Sequence, residues 1–183
     1  TAGGSIAHAD PAAELPAICL TLDAELVLES AAGQRGGRAE DFFLTILTTA
    51  IDPQELLTEI RIPQRWAEWR WGFKEVCRRE GDFALAGAFA LLDLDDAGIC
   101  NGSRITLFGV DGKPLRIHKA EESLLGERVN SHLLEKTARL VSEELEPHSD
   151  VHASATYRKE VGGVMARRAL EAALNGVDGV NEK

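Results

Sequence analysis

Hydrophobic residues in the second half of the chain fall into short runs that are separated by turn-forming residues. The runs are Phe73–Arg79, Phe83–Leu94 and Arg104–Val110, with Gly81-Asp82 and Asp95–Gly98 between them. Runs of this length, bounded by glycine and aspartate, are typical of strands joined by tight turns. The pattern therefore predicts a three-stranded antiparallel meander.

Further along, apolar residues recur every three or four positions, which is the period of an amphipathic helix. Three helices are predicted, at Ala120–Leu125, at Ser131–Leu145 before Pro147, and at Thr156–Leu174, which Gly176 terminates. Strands followed by helices, without alternation, indicate an α+β fold for this half of the chain.

The long middle strand is apolar on both faces, so both faces should be covered. One face carries mostly large side chains and the other carries only alanine: Phe83, Leu85, Gly87, Phe89 and Leu91 against Ala84, Ala86, Ala88 and Ala90. We expect the large face to pack on the helices. The alanine face should allow the close approach of something else, such as a neighbouring domain.

The beginning of the chain predicts a glycine turn at Thr1–Asp10, followed by a helix from Asp10-Pro11 to about Leu22. Aspartate can cap free backbone N–H groups, and proline suits the first helical position. Pro16 lies inside this helix and should kink or shorten it.

Two strands are predicted next, at Glu25–Ser30 and Leu56–Ile62, with a loop at 31–37 and no clear pattern at 41–47. The segment after Pro63 lacks any periodicity. We therefore divide the chain into a first domain at 1–63, a linker at 64–72, a second domain at 73–176 and a tail at 177–183.

The formal net charge of −10 argues against nucleic acid and anionic membranes as main partners. No run of about 18 apolar residues occurs, so no membrane insertion is expected, and no signal peptide is visible. The chain starts at Thr1 without a methionine, and we expect it to begin inside a longer protein.

The three cysteines are too few for a four-cysteine iron–sulfur cluster, and their spacing fits neither disulfides nor a CxxC site. We expect Cys19, Cys77 and Cys100 to be small buried hydrophobic residues in a reducing cytoplasm. The histidines show no paired metal-binding spacing, so no metal site is predicted. Trp66, Trp69 and Trp71 alternate beside the linker and should cover a contact between domains or subunits.

Gly3-Gly4 could hold a pyrophosphate, because consecutive glycines let backbone N–H groups face an anion. Taken alone, the pair more often marks a plain turn. The longer string from Thr1 to Pro16, TAGGSIAHADPAAELP, is far more specific.

This string resembles the second flavin-binding motif, T-I-G-G-[NS]-x-A-x-x-D-P-x-x-[DE]-x-P, of the FAD-binding medium subunit in the molybdenum hydroxylase family. That family includes xanthine dehydrogenase and carbon monoxide dehydrogenase, and only Ala2 departs from the motif. The segments that follow resemble later parts of the same subunit, in order and at matching spacings: Glu55–Pro63, Arg78–Ala84 and Tyr157–Leu170.

The resemblance implies an α+β architecture: a partial α/β FAD-binding subdomain of the PCMH type, then a small domain with a three-stranded antiparallel sheet and three helices. It also implies that the family's first FAD subdomain, with its own phosphate loop, has no counterpart in these residues. The resemblance thus implies only half of an FAD site in this chain, with FAD bound non-covalently.

Carried over by position, the resemblance implies that the FAD contacts come from these residues: Thr1, Gly3, Gly4, Ser5, Asp10, Glu14, Ile51, Leu56, Asp82 and Phe83. For Asp10 a plain helix cap is an equal alternative. Phe83 would cover the flavin ring, where some relatives have tyrosine; the alternative is a core strand residue. His8 is interpreted as a loop histidine near the cofactor, and no residue of the chain is expected to be catalytic.

The resemblance further implies an electron-transfer subunit that works with a molybdopterin large subunit and a [2Fe–2S] small subunit, in a dimer of heterotrimers in the cytoplasm. Electrons would pass from the clusters through FAD to an external acceptor. The alternative is a flavin-free docking module.

Overall fold

The computed structural model describes residues 1–176. The predicted tail at 177–183 lies outside the described residues. The described residues form two main hydrophobic cores, one within residues 6–60 and a larger one within residues 76–174, and a small third cluster lies between them. We call the parts of the chain around them the first and the second unit.

The first unit opens with a helix, α1 at Ala2–His8, so the predicted glycine turn is wrong. The Thr1 hydroxyl caps this helix by accepting a hydrogen bond from the N–H of Gly4 at 3.1 Å. Ile6 is fully buried and ties the helix to the core. Ala9 caps the end of the helix, with a left-handed φ of 53°.

The second helix, α2 at Glu14–Thr21, starts later than the predicted Asp10-Pro11. Asp10 does cap a backbone N–H group, but it is that of Ala12, at 2.9 Å, in a turn before the helix. Pro16 falls in the first helical turn, where its missing N–H has no intrahelical acceptor to lose. The helix is shorter than the predicted range from Asp10-Pro11 to Leu22, in agreement with the expectation that Pro16 would kink or shorten it.

A three-stranded antiparallel sheet follows, with β1 at Glu25–Ser30, β2 at Gly33–Arg38 and β5 at Leu56–Arg61 in the order β2-β1-β5. The predicted strands β1 and β5 are confirmed, whereas the predicted loop at 31–37 is mostly strand β2. That strand is rich in glycine and exposed because it lies at the edge of the sheet. Its pairing with β1 therefore comes from the hairpin and not from buried side chains.

The segment that gave no clear pattern folds into a short helix and a small hairpin: α3 at Ala39–Phe42, β3 at Phe43–Thr45 and β4 at Thr48–Thr49. Phe42 and Phe43 are buried, with their rings perpendicular at 5.1 Å. The hairpin tip carries exposed apolar side chains, including Ile46 and Leu47.

The linker contains a 3₁₀ turn at Gln64–Trp66, and Trp66 contacts both units there. The indole N–H of Trp66 donates to the carbonyl of Leu22 at 2.6 Å, and Trp69 packs on the Trp66 ring at 4.9 Å. The predicted contact between domains is confirmed for Trp66. Trp71 remains about half exposed.

The second unit is built on an antiparallel sheet, as predicted, with β6 at Arg70–Cys77, β7 at Ala84–Leu94 and β8 at Cys100–Phe108. A two-residue strand, β9 at Leu115–Arg116, extends the three predicted strands to four. The three predicted helices are confirmed as α4 at His118–Glu122, α5 at Ser131–Glu144 and α6 at Ala155–Asn175. The fold class is α+β.

The two faces of β7 are used in the opposite way to the prediction. Three of its alanines, Ala86, Ala88 and Ala90, lie in the core formed with α5 and α6, because small side chains let the long helix α6 approach the sheet closely. Ala84 instead belongs to the cluster that contains Phe108. The large face is directed at α2: the rings of Phe73, Phe89 and Phe108 stack on one another and pack against Ala17. Aromatic side chains thus fill the gap between the units.

Burial of the cysteines agrees with the prediction for Cys19 and Cys100 but not for Cys77, which is only partly buried. Cys77 ends the edge strand β6, where the pairing with β7 becomes irregular. Among residues 1–176, no helix has the length and apolar character needed to cross a membrane.

Candidate functional site

A cleft of about 580 Å³ opens where the two units meet, a size typical of small-molecule sites. The first unit contributes the turn after α1 and the tip of the β3–β4 hairpin. The second unit contributes the turn before β7, the end of β8 and the loop before α6. The cleft lining includes Asp10, Pro11, Ile46, Leu47, Asp82, Phe83, Ala84, Leu85, Gly109, Asp150, His152 and Arg158.

Three of the predicted site residues, Asp10, Asp82 and Phe83, line this cleft together although they come from different units. Phe83 precedes β7 and its side chain is 63% exposed, so it is not the core strand residue that was the alternative. An exposed aromatic ring in a cleft offers a flat apolar surface on which a planar ligand can stack.

Four more predicted residues, Thr1, Gly3, Gly4 and Ser5, form the start of α1. The N–H groups of Gly4 and Ser5 are engaged by the side chain and carbonyl of Thr1, at 3.1 and 3.0 Å. The first amides of a helix have no intrahelical acceptor, so those of Ala2 and Gly3 stay available to an anion. Neither glycine has a positive φ, but a Cβ atom on Gly4 would lie 2.9 Å from the Thr1 hydroxyl that caps the helix.

The remaining predicted residues differ in their surroundings. Ile51 packs partly buried against the core of the first unit, while Leu56 is 72% exposed on β5. Gly3 lies beside this strand, because a Cβ atom on it would be 3.8 Å from the carbonyl oxygen of Leu57. Leu56 and Gly3 therefore belong to the same region of the first unit.

Glu14 does not line the cleft, so the structure does not bring it together with Asp10 and Phe83. It begins α2 and its charge acts on Glu75 of β6. Burial, and then the neighbouring carboxylate of Glu14, raise the pKa of Glu75. His8 is the last residue of α1, exposed and likewise outside the cleft lining.

Sequence patterns missed several lining residues. Leu47 has a left-handed φ of 51°, and its N–H donates to the carbonyl of Ala9 at 3.3 Å, which holds the hairpin tip against the end of α1. Gly109 follows β8 with a φ of 72°, and its N–H donates to the carbonyl of Pro11 at 2.8 Å. Left-handed residues without a turn motif give no signal in a hydrophobic pattern.

Arg158 is the most deeply buried charged residue of the cleft lining, with 8% of its surface exposed. Its guanidinium donates to the carbonyls of Leu85 and Gly109 at 2.6 and 2.5 Å, and to the carboxylate of Asp150 at 2.6 Å. The hydrogen bond from Arg158, assisted by the backbone N–H of Ala153, lowers the pKa of Asp150 to about 2.

A separate ionic contact, outside the cleft lining, connects the two units. The carboxylate of Asp23 accepts two hydrogen bonds from the buried guanidinium of Arg104, at 2.8 and 2.5 Å, and another from Arg65. Partial burial alone would raise the pKa of Asp23, but the bonds from Arg104 and Arg65 bring it below its usual value. The ring of Trp66 lies against both guanidinium groups.

The chain offers two further observations on ligands. A second depression of about 620 Å³, beside the Arg35–Glu55 ion pair, contains none of the predicted site residues and no aromatic side chain. In the part of the chain that the structure describes, no three histidine, cysteine, aspartate or glutamate side chains are grouped to hold a metal ion. The cleft at the junction is therefore the candidate site.

Comparison with known families agrees with this arrangement. Residues 1–65 match the family described as FAD binding domain in molybdopterin dehydrogenase, and residues 71–173 match the CO dehydrogenase flavoprotein C-terminal domain. Together the two matches include all ten predicted site residues. The first unit is thus an FAD-binding domain of that type.

Curated relatives show the same relationship. The chain is 37% identical to the 6-hydroxypseudooxynicotine dehydrogenase complex subunit alpha of Paenarthrobacter nicotinovorans, over 96% of this chain and 59% of the relative. It is 35% identical to the carbon monoxide dehydrogenase medium chain of Afipia carboxidovorans, over 94% of this chain and 60% of the relative. The chain thus spans about 60% of the length of these relatives.

A solved structure, quinoline 2-oxidoreductase from Pseudomonas putida 86, superposes with a TM-score of 0.90 at 34% identity, covering 96% of this chain and 60% of that one. Carbon monoxide dehydrogenase from Hydrogenophaga pseudoflava superposes equally well, with a TM-score of 0.90 at 34% identity, covering 96% of this chain and 61% of that one. The chain therefore belongs to the family of FAD-binding medium subunits of the molybdenum hydroxylases, of the carbon monoxide dehydrogenase and xanthine dehydrogenase type.

Proposed function

We propose that this chain is part of an electron-transfer flavoprotein subunit, and that the cleft between its units holds the ring system of FAD. One observation carries the proposal. Asp10, from the glycine-containing string of the first unit, and Phe83, from the second unit, line one cleft of suitable size.

The cleft suits a flavin ring in shape and chemistry. Phe83 supplies an exposed aromatic face, and Ile46 and Leu47 supply apolar surface at the mouth. Aspartate carboxylates at Asp10 and Asp82 can accept hydrogen bonds from ring or ribityl donors. Asp10 is already oriented by the N–H of Ala12.

The start of α1 suits the pyrophosphate. The helix dipole and the available amides of Ala2 and Gly3 favour an anion there, and Thr1, Gly4 and Ser5 complete this turn. A seven-residue helix is about 10 Å long. An extended cofactor can therefore place its phosphates at one end of α1 and its ring at the other.

The two predicted aliphatic contacts of the cofactor, Leu56 and Ile51, have different roles. Leu56 is exposed beside the first turn of α1 and can pack on the cofactor, whereas Ile51 supports that surface from the core. Glu14 lies outside the cleft lining and close enough to Glu75 for its charge to act there, so it is not part of the proposed ring site.

When bound, FAD would take electrons from [2Fe–2S] clusters on a small partner subunit and pass them to an external acceptor, after a molybdopterin large subunit has oxidised the substrate. The residues of this chain bind and orient the cofactor and exclude water from one side of it. The names of the relatives, which include medium chains and complex subunits, support a multi-subunit assembly. A dimer of heterotrimers in the cytoplasm is the form we propose.

The proposal is tested by purifying the full-length protein from its natural source and measuring its visible absorption and co-purifying chains. We expect flavin absorption bands, release of FAD on acid denaturation because binding is non-covalent, and two partner subunits. A colourless protein that still binds those partners would contradict the proposal and support a flavin-free docking module.

A further inference from the structure

The backbone pairing of β7 with β8 ends at the cleft, and the side chain of Arg158 bridges the two strands there. The last paired residues are Gly87 and Phe108. Beyond them, the carbonyl groups of Leu85 and Gly109 accept hydrogen bonds from one nitrogen of Arg158, at 2.6 and 2.5 Å. Arg158 thus continues the connection between the two strands where the ladder has ended.

Both of these carbonyls belong to segments that carry the proposed flavin contacts. Leu85 follows Phe83 by two residues. Gly109 approaches the backbone of Ala84 so closely that a Cβ atom on it would lie 2.9 Å from that carbonyl oxygen. Its N–H donates to Pro11, the residue next to Asp10, at 2.8 Å. The guanidinium is therefore bonded directly to the second-unit side of the cleft and is linked to the first-unit side through the backbone of Gly109.

Asp150 orients the guanidinium from the solvent side. Its carboxylate accepts from Arg158 and also from the backbone N–H groups of His152 and Ala153, at 2.8 and 2.9 Å. The ion pair therefore also ties down the loop before α6, which forms the remaining wall of the cleft.

A purely stabilising role explains this arrangement poorly. Burying a guanidinium costs desolvation energy that can exceed the gain from its hydrogen bonds, and the Nε atom of Arg158 is buried without a partner among residues 1–176. All of its hydrogen bonds nevertheless go to the cleft walls. The placement of these bonds therefore suggests a role in the geometry of the cleft.

We propose that Arg158 is a positioning residue for the flavin site, which sets Phe83 and the Asp10-Pro11 turn at the distance that the cofactor ring requires. The proposal rests on the proposed function of the cleft. Arg158 acts through the backbone of other residues and does not itself touch the reacting atoms.

The first test compares Arg158→Lys with Arg167→Lys, a change on the same helix at an arginine whose ion pair with Glu171 lies outside the cleft lining. In the full-length protein, we expect Arg158→Lys to raise the Kd for FAD about tenfold or more, because lysine cannot hold two carbonyls and a carboxylate in one plane. Arg167→Lys should leave the Kd unchanged. Equal Kd values for the two variants would overturn the proposal.

A double-mutant cycle separates positioning from general stability. If Arg158 acts through Phe83, the loss caused by Arg158→Lys should be smaller by about threefold or more in a Phe83→Ala background. Fully additive losses would overturn the proposal. If Arg158→Lys fails to fold, Asp150→Asn takes its place with a smaller expected loss, since it removes only one of the three partners.

Hydrogen exchange measured in the absence of FAD tests the positioning role of Arg158 separately from the proposed binding of FAD. We expect the amide of Gly109 to exchange faster in Arg158→Lys than in the wild type and in Arg167→Lys. If the wild type binds no FAD, the proposed function fails, and positioning of the cleft is then judged from exchange alone. Unchanged exchange at Gly109 would overturn the positioning role.

Discussion

Two glycines in the second unit are required for space and not for backbone conformation. A Cβ atom at Gly72 would lie 1.9 Å from the carbonyl oxygen of Ala169 on α6, and one at Gly87 would lie 2.1 Å from the ring of Phe108. Neither residue has a positive φ. They set how closely α6 and the aromatic cluster approach the sheet on its two sides.

Gly72→Ala should therefore destabilise the protein by about 1–3 kcal/mol, as overpacking of a well-packed core does. The clash is with backbone, which no side-chain rotation can relieve. Gly37→Ala is the matched control, since a Cβ atom there would meet nothing within 4 Å. Urea denaturation monitored by circular dichroism measures both, and a Gly72→Ala variant as stable as Gly37→Ala would contradict the observed helix–sheet distance.

For Phe83, a substitution should weaken FAD binding and leave the stability of the fold nearly unchanged. Because its side chain is 63% exposed, Phe83→Ala should change the free energy of unfolding by less than about 1 kcal/mol. Loss of an aromatic stacking partner should nevertheless weaken FAD binding by about 0.5–1.5 kcal/mol, or roughly twofold to twelvefold, and should raise the fluorescence of the bound flavin. Phe83→Tyr should preserve both properties, and Trp71→Ala, at an exposed aromatic outside the cleft lining, should affect neither.

The Asp150–Arg158 pair predicts a specific acid dependence. In the folded protein the pKa of Asp150 is about 2, below its ordinary 3.8. A lowered pKa means that the carboxylate stabilises the fold above about pH 4, and that this contribution is lost as the pH falls towards 2. Asp150→Asn should therefore be less stable than the wild type at pH 7, with the difference vanishing near pH 2. A difference that is independent of pH would contradict the ion pair.

Among the elements, those of the second unit could be predicted well because each combines a clear period with a stop signal. Helix α5 begins where Asn130 accepts a hydrogen bond from the N–H of Leu133, and α6 begins in the same way at Ser154. The elements that were missed lack such signals. Helix α1 contains Gly3-Gly4 and depends on Ile6 and the Thr1 cap, while β2 and β9 are edge strands held by their neighbours.

The two faces of β7 show a second reason why the fold could not be predicted completely from the sequence. Alternation along the strand predicted correctly that both faces are covered, but it does not state what covers each of them. The alanine face receives α6 because a long helix gains most from close approach, and the first unit fills the wider space over Phe89. Volume matching between distant elements is not visible in a local pattern.

The ion pair between Asp23 and Arg104 connects the turn after α2 to β8, and its removal should loosen the contact between the two units. Asp23→Asn leaves a guanidinium that is 7% exposed without its charged partner, which should cost about 3 kcal/mol. Glu40→Gln is the control, because the Arg38–Glu40 pair is exposed and should contribute less than about 1 kcal/mol. Equal thermal stability of the two variants would show that the junction does not depend on this pair.

At the scale of the whole molecule, the candidate site is an assembly of segments far apart in the sequence. Resemblance to a family indicated Asp10, Asp82 and Phe83, and the structure places them in one cleft. It did not indicate Leu47, Gly109 or Arg158. Leu47 and Gly109 contribute through left-handed backbone and backbone hydrogen bonds, of which the one from Gly109 to Pro11 crosses between the units. Arg158 contributes through side-chain hydrogen bonds within the second unit, and all of these bonds exist only once the chain has folded.

The most direct test of the account is an experimental structure of the full-length protein with FAD bound. We predict that the flavin ring lies in the cleft between the units, within about 4 Å of the Phe83 side chain and beside the Asp10-Pro11 turn. The pyrophosphate should lie at the start of α1, near the amides of Ala2 and Gly3. FAD bound elsewhere, with Phe83 still exposed to solvent and Arg158 still joining Leu85 to Gly109, would contradict the central claim.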